Sequence, residues 1–332
     1  AVLAIVGAAF NGVKAVEFNG FKVQTVKKDT AITKTYAKKE FERIEFVNGS
    51  GYFVPMELEI RQGQDYSVSY SGSSRFEPKI DYQNGTLKVA RGQEMHGFSF
   101  DLNNYRSKID SKLIITVPEN VKLSFVKVNG NYDNIKLEKL NIATLELEAN
   151  SSEKLSLNEV TTERTDIDMN TDEVTLTNSK LNNGELSLVA DLVVSGGELT
   201  NINVKVDSEG RVYYKDGLVL NGGGTQLADE VYGYESDDDN DADNDSDYAD
   251  NSEPNAELDA DTITIKGKYE IKNNTGVTRI MNATVQGYRL TNKHGKNNLH
   301  DQQQTNGGTL EENADQADVL TLSSRIGENT VK

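Results

Sequence analysis

VKLSFVKVNGNYDNIKLEKLNIATLELEANSSEKLSLNEVTTERTDIDMNTDEVTLTNSKLNNGELSLVADLVVSGGELTNINVKV, residues 121–206, is the stretch that decides the fold. One series of apolar pairs runs Leu123/Phe125, Leu145/Leu147, Ile167/Met169, Leu186/Leu188 and Val204/Val206. A second series, Ile135/Leu137, Leu155/Leu157, Val174/Leu176 and Leu192/Val194, falls midway between the first. Each series recurs about every 18 to 22 residues. Members of a pair are two residues apart, the spacing that puts both side chains on one face of a strand. Turn-formers fill the gaps, among them Gly130, Asn150, Asn170, Asn178, Asn183, Gly184, Gly196 and Gly197. A repeat of about 20 residues carrying two short strands predicts an all-β solenoid. One coil buries too few apolar side chains to offset its ordering entropy, so coils become stable only when stacked.

Working outward, the chain has 332 residues, no Cys, no Trp, four Pro, three His and a formal charge of −18. The absence of Cys excludes disulfides and thiolate chemistry and leaves the compartment open. The acidic balance excludes nucleic acid as the expected partner, because phosphate affinity needs a basic footprint. Residues 1–10, AVLAIVGAAF, are too few to cross a bilayer core that needs about 20 apolar residues. Two readings stand for them: the tail of a membrane anchor or signal segment, or a buried element of the fold. Lys27, Lys28, Lys34, Lys38 and Lys39 follow, suited to a solvated linker or to anionic lipid. Residues 1–40 are therefore expected to be an anchor remnant and basic linker, with tethering through a preceding segment.

The solenoid is expected over residues 41–228. Ile44/Phe46, Val54/Met56, Leu58/Ile60 and Tyr66/Val68/Tyr70 alternate with polar residues, and Asn84-Gly85 is a hairpin signal. Residues 113–117 form a nearly continuous apolar run, suited to a strand covered on both faces, and Pro118 ends it. Fifteen Asp and Glu with no Lys or Arg crowd residues 229–261, and without them the −18 would be about −3. That composition cannot offset its ordering entropy and is read as an acidic flexible insertion. Strand text resumes with Ile263/Ile265 and Tyr269/Ile271 and returns at Val319, Leu320 and Leu322, so residues 262–332 are expected to be C-terminal coils of the same solenoid.

These segments, taken in order, resemble a known family. IEFVNGSG, VPMELEIRQGQDYSVSY, NGTLKVAR and LIITVPENVKLSFVKVNGN, followed by Leu-rich coils, are similar to the DUF4097 adhesin family over residues 41–214. GYRLTNKHGKNNLH, residues 287–300, resembles a late coil of that family. The resemblance implies a right-handed, single-stranded β-helix-like solenoid at the surface of a bacterium, extracellular or membrane-anchored. It brings no catalytic residues with it.

Candidate sites are acidic. Asp239, Asp241, Asp243, Asp245 and Asp247 alternate, so in extended chain their carboxylates lie about 7 Å apart, inside a Debye length of about 8 Å. The spacing resembles the start of a Ca2+ loop, but Asn244 holds the turn position and Asp250 replaces the bidentate Glu. A Ca2+ site and a solvated loop with diffuse cation affinity are the two readings. A second feature follows from stacking Leu145/Leu147 under Ile167/Met169 and then Leu186/Leu188. That alignment sets Glu146 beside Asp168 and Asp166 beside Glu185, which marks either a contact surface or an ordinary solvated exterior. Asp166, Asp168 and Glu185 would also be the acid and base of a glycan-cleaving enzyme. His96, His294 and His300 fall in no nucleophile or zinc motif. Three functions remain: a non-enzymatic surface module binding a glycan, a protein or the envelope; a Ca2+-responsive scaffold; and a polysaccharide-cleaving enzyme. No other cofactor is implied.

Overall fold

The computed structural model describes residues 29–47, 53–90, 109–207, 210–228 and 256–332, with the short strands Val16–Asn19, Lys22–Thr25 and Ser99–Phe100. Every regular element among the described residues is a strand. Twenty-five strands form one continuous sheet, and the three short ones form another. Asn141–Asn158, Thr161–Thr177 and Lys180–Ser195 stack in parallel register as successive coils. Each is one strand shared by two faces: the first half of Asn141–Asn158 pairs with Lys122–Asn129 and the second half with Asn131–Glu138. The fold is the β-solenoid that the repeat predicts.

The core is a set of vertical apolar columns. On the second face Ile60, Leu137, Leu157, Leu176 and Val194 lie in register from coil to coil, all fully or almost fully buried. The expected pairs of this series stack as read from the sequence. On the first face two registers differ: Val126 and Val128, not Leu123 and Phe125, lie beside Leu145 and Leu147, and the next pair is offset as well. Leu147, not Leu145, lies beside Ile167, and Leu145 lies beside Thr165. The reason is local: Thr165 points inward and its Oγ1 lies 2.6 Å from that of Thr162, so two buried hydroxyls satisfy each other at positions that an apolar-to-apolar match leaves out. Ala149, Met169, Leu188 and Val206 complete the adjacent column. Phe125, expected inside, is half-buried on the outer side, with the Arg43 guanidinium 4.4 Å from its ring centre.

One corner turns, in most coils, on a residue in the left-handed region, followed at Gly196 and Asp216 by a second, Gly197 and Gly217. Lys139, Glu159, Asn178, Asp216, Thr262, Asn282 and His300 have φ between 48° and 59°, and Gly196 has φ 65°. Their amides keep the ladder intact, as in Glu159 N to Thr177 O (2.8 Å) and Asn178 N to Ser195 O (2.9 Å). Asn and Gly take this conformation at little cost, whereas Lys, Glu and Thr are held there by the coils above and below.

Chain order and stacking order part company at both ends. Arg43–Val47 and Phe53–Gly63 lie against Lys122–Asn129 and Asn131–Glu138, while the later Thr86–Ala90 and Lys112–Pro118 form the coil outside them. At the other end Val319–Ser324 and Glu328–Val331 are inserted between the coil of Lys268–Asn273 and Val277–Met281 and the coil of Gly287–Asn292 and Lys296–Leu299. The last coil in sequence is thus the penultimate one in space. Antiparallel strands close the stack: Lys79–Gln83, Ser67–Ser73 and Ala31–Thr35 at one end, Gln302–Gln304 and Gly308–Glu312 at the other. Two expected boundaries shift accordingly. Ala31–Thr35 belongs to the sheet and not to a linker, and Glu257–Asp261, assigned by composition to the insertion, is a rung paired with Arg211–Lys215 and Val277–Met281.

Candidate interaction face

Strand alternation that buries the columns turns the intervening residues outward, and parallel register lines them up. On the first face one outward row reads Lys127, Glu146, Asp166, Glu185, Asn203, Gly224 and Glu270. The next row reads Asn129, Glu148, Asp168, Ser187, Lys205, Gln226 and Lys272. Five carboxylates therefore occupy adjacent sites on three coils about 4.8 Å apart. Glu146 lies beside Asp166 and Glu148 beside Asp168; the expected neighbour of Glu146, Asp168, is one step further along the strand, a consequence of the shifted register. Asp166 beside Glu185 is as read from the sequence.

The ends of this patch are held by cations. Lys127 Nζ lies 3.0 Å from Glu146 Oε2, and Lys205 Nζ lies 2.8 Å from Glu185 Oε1. Asn129 Nδ2 donates to Glu148 Oε2 at 2.9 Å. The hydrogen bond that Lys127 donates to Glu146 outweighs partial burial and raises the pKa of Lys127. Asp166 and Asp168 in the middle are exposed and have no ion-pair partner among the described residues. Beyond Glu185 the row loses its side chain at Gly224. There a groove of about 250 Å3 opens over the backbone of Gly223 and Gly224, walled by Glu185 and Lys205 on one side and Glu270 and Lys272 on the other.

The second face is different. Lys112 Nζ lies 2.9 Å from Glu57 and 2.6 Å from Glu59, and Arg61 Nη1 lies 2.8 Å from Glu59. Lys136 pairs with Glu138, Lys154 with Glu173, and Arg279 with Asp259 and Glu257. Burial pushes the Glu59 carboxyl up, but the Lys112 hydrogen bond and the charges of Lys112, Arg61 and Lys136 together hold it below the ordinary 4.5. Many charges on this face are paired within it, although Lys215, Asp261 and Lys296 have no ion-pair partner among the described residues.

Asp239, Asp241, Asp243, Asp245 and Asp247 lie outside the described residues, as does His96. Among the described residues no group of three or more His, Asp or Glu is arranged to hold a metal ion. Asp166 and Asp168 stand on an open strand exterior, two residues apart on one strand. His300 Nδ1 is 3.1 Å from Glu312 Oε2, with its ring edge-on to Tyr288. His294 is exposed at a corner near the C-terminal end. Glu148, Lys127, Lys205 and the Gly223-Gly224 gap escaped the sequence reading. Outward alternation from the buried columns would have found them once the Val126 and Thr165 registers were known.

Residues 54–213 match the family model described as Toastrack DUF4097. The match spans just under half of the chain and covers the regular coils. Among solved structures it is similar to a "putative adhesin" from Parabacteroides distasonis, at 13% identity and a TM-score of 0.49, over 90% of this chain and 97% of that one. It is also similar to a "putative adhesin" from Bacteroides fragilis, at 12% identity and a TM-score of 0.37, over 92% and 98%. A "putative lipid binding protein" from Parabacteroides distasonis is similar at 11% identity and a TM-score of 0.32, over 91% and 97%. No curated protein matches.

Proposed function

We infer that the protein is a non-enzymatic, cell-surface β-solenoid that binds a partner through its first face. The partner is a glycan, a protein or an envelope component that presents positive charge to Glu146, Glu148, Asp166, Asp168 and Glu185. One observation carries the reading: five carboxylates stack on three adjacent coils of this face, and the central pair, Asp166 and Asp168, has no ion-pair partner among the described residues. Like charges stacked at strand spacing cost free energy, and a cationic partner removes that cost. The flat exterior around Asp166 and Asp168 offers breadth for binding; it lacks the convergent walls that a hydrolase needs to exclude water. Surface display and tethering by a preceding segment belong to the same proposal. A Ca2+ response centred on Asp239 to Asp247 is a separate proposal.

Protease shaving of intact bacteria expressing the natural gene tests display. Peptides from residues 237–253 should be released while cytoplasmic controls stay protected, and a chelator wash should alter that release if the aspartates take Ca2+. Glu146→Gln, Asp166→Asn and Asp168→Asn combined should abolish adhesion of displaying cells to host or neighbouring bacteria. Adhesion equal to that of the unaltered protein, in cells displaying equal amounts, would sink the assignment of the face.

A further inference from the structure

The corner joining the first face to the second is written three times near the C-terminal end: Asn273-Asn274-Thr275-Gly276, Asn292-Lys293-His294-Gly295 and Ser324-Arg325-Ile326-Gly327. In space the third lies between the first two. Arg325 N donates to Asn274 O (2.9 Å), His294 N to Arg325 O (2.8 Å) and Lys296 N to Gly327 O (3.0 Å). The glycines admit no side chain. A Cβ would sit 1.7 Å from Ala256 O at Gly276, 1.9 Å from Gly276 O at Gly327 and 2.0 Å from Gly327 O at Gly295. Buried Asn292 fixes its turn from inside, its Oδ1 accepting from His294 N and Gly295 N and its Nδ2 donating to Gly327 O (3.0 Å). The middle residues of each motif are thereby held outward, and Arg325, Ile326, Lys293 and His294 are all exposed.

Arg325 and Lys293 thus stand on neighbouring rungs, with Lys296 beside them. None has a carboxylate within ion-pair reach among the described residues, although the chain as a whole carries −18. Glu328, the carboxylate nearest in sequence register, is engaged elsewhere: its Oε1 accepts from Asn298 Nδ2 (2.8 Å) and Thr330 Oγ1 (3.0 Å). Beside these cations lies a groove of about 330 Å3, lined by His294, Lys296, Thr305, Asn306, Ile326 and the hydrogen-bonded Glu328, with Arg325 and Lys293 outside its lining.

We propose that this corner binds an anionic group, phosphate or carboxylate, of a polymeric ligand. The Arg325 guanidinium supplies a planar bidentate fork, Lys293 and Lys296 add charge, and Ile326 meets the apolar part of the same ligand. The rigid glycine backbone lets the cations be presented with little further ordering on binding. The site is separate from the acidic face and stands or fails without it.

The test is amide NMR on the full chain titrated with inorganic tripolyphosphate and, in parallel, with an oligogalacturonate, at low and physiological salt. The expected shifts centre on Gly295, Ile326 and Gly327 and weaken as salt rises. The tighter of the two ligands identifies phosphate or carboxylate as the group read. Lys293→Gln, Lys296→Gln and Arg325→Gln combined should weaken binding about tenfold or more, with Arg325→Lys in between, and thermal midpoints unchanged because all three side chains are exposed. Shifts centred elsewhere, a triple variant within about twofold of the parent, or no binding of either polymer at low salt would each overturn the proposal.

Discussion

A pair of engineered cysteines reads the first-face register directly, because the chain contains no Cys of its own to confuse the result. Glu146 and Asp166 are register partners on adjacent parallel strands. Their Cα atoms are therefore about 4.8 Å apart, inside the range of roughly 4.4–6.8 Å that a disulfide spans. Asp168 is two residues further along, a displacement of about 6.6 Å at right angles, which puts it about 8 Å from position 146. That exceeds the limit of about 7 Å for bridging without backbone movement. Glu146→Cys with Asp166→Cys should close on mild oxidation, and Glu146→Cys with Asp168→Cys should not. The closed loop holds about 20 residues, so the bond should stabilise the oxidised over the reduced protein by about 3 kcal/mol on the chain-entropy account. Mass spectrometry after alkylation gives the yield, and denaturant midpoints of oxidised and reduced protein give the energy. Comparable closure of the 146/168 pair, or closure of that pair alone, would refute the register and with it the composition of the acidic patch.

Two further outcomes follow from the same geometry. Gly184→Ala places a Cβ 1.7 Å from Thr165 O, a backbone atom of the next rung that cannot swing away, so the coils must part; a loss of about 1–3 kcal/mol is expected in urea unfolding, and a change under about 0.5 kcal/mol would contradict the close approach. Glu59 has a folded pKa below its unfolded one, so its contribution is present above the ordinary 4.5 and is lost as pH falls through the folded value. Glu59→Gln should lower stability at neutral pH, by leaving Lys112 and Arg61 without their shared partner, and should flatten the acid limb of the stability curve; parallel acid limbs for parent and variant would count against the coupling.

The repeat, the strand class and the second-face columns were legible because Ile135/Leu137, Leu155/Leu157, Val174/Leu176 and Leu192/Val194 each spend two apolar residues at inward positions. Where a coil spends threonine instead, as at Thr162 and Thr165, pattern matching slides the strand by two residues and moves every outward neighbour with it. Slippage by an even number keeps the inward and outward sets intact, so nothing in the alternation flags the error. Asp166 beside Glu185 was readable because Ile167, Met169, Leu186 and Leu188 match without threonines intervening. The left-handed corners were legible at Asn178 and Gly196 and invisible at Lys139, Glu159 and Thr262, where position in the stack overrides residue preference. Nothing local marks the C-terminal reversal of coil order, since parallel pairing between rungs leaves no signature in either strand alone.

That reversal has a physical logic. A parallel stack that simply stopped would expose a full row of unpaired amides and carbonyls at each end, a template for another chain. Here the chain runs to the end of the stack, lays Gln302–Gln304 and Gly308–Glu312 antiparallel across the last coil, and returns to pair Val319–Ser324 and Glu328–Val331 one rung inside. The outermost strands are short, and they are rich in polar and charged side chains: Gln302, Gln303, Glu311 and Glu312 at this end, Thr33, Lys34, Lys79 and Asp81 at the other. Returning inside also binds the C-terminal strands on both sides, so fraying from the chain terminus must break two ladders at once. A solenoid sealed in this way is free to use its long faces without polymerising through its ends, and Asp166 and Asp168 lie on an inner coil, several rungs from either cap.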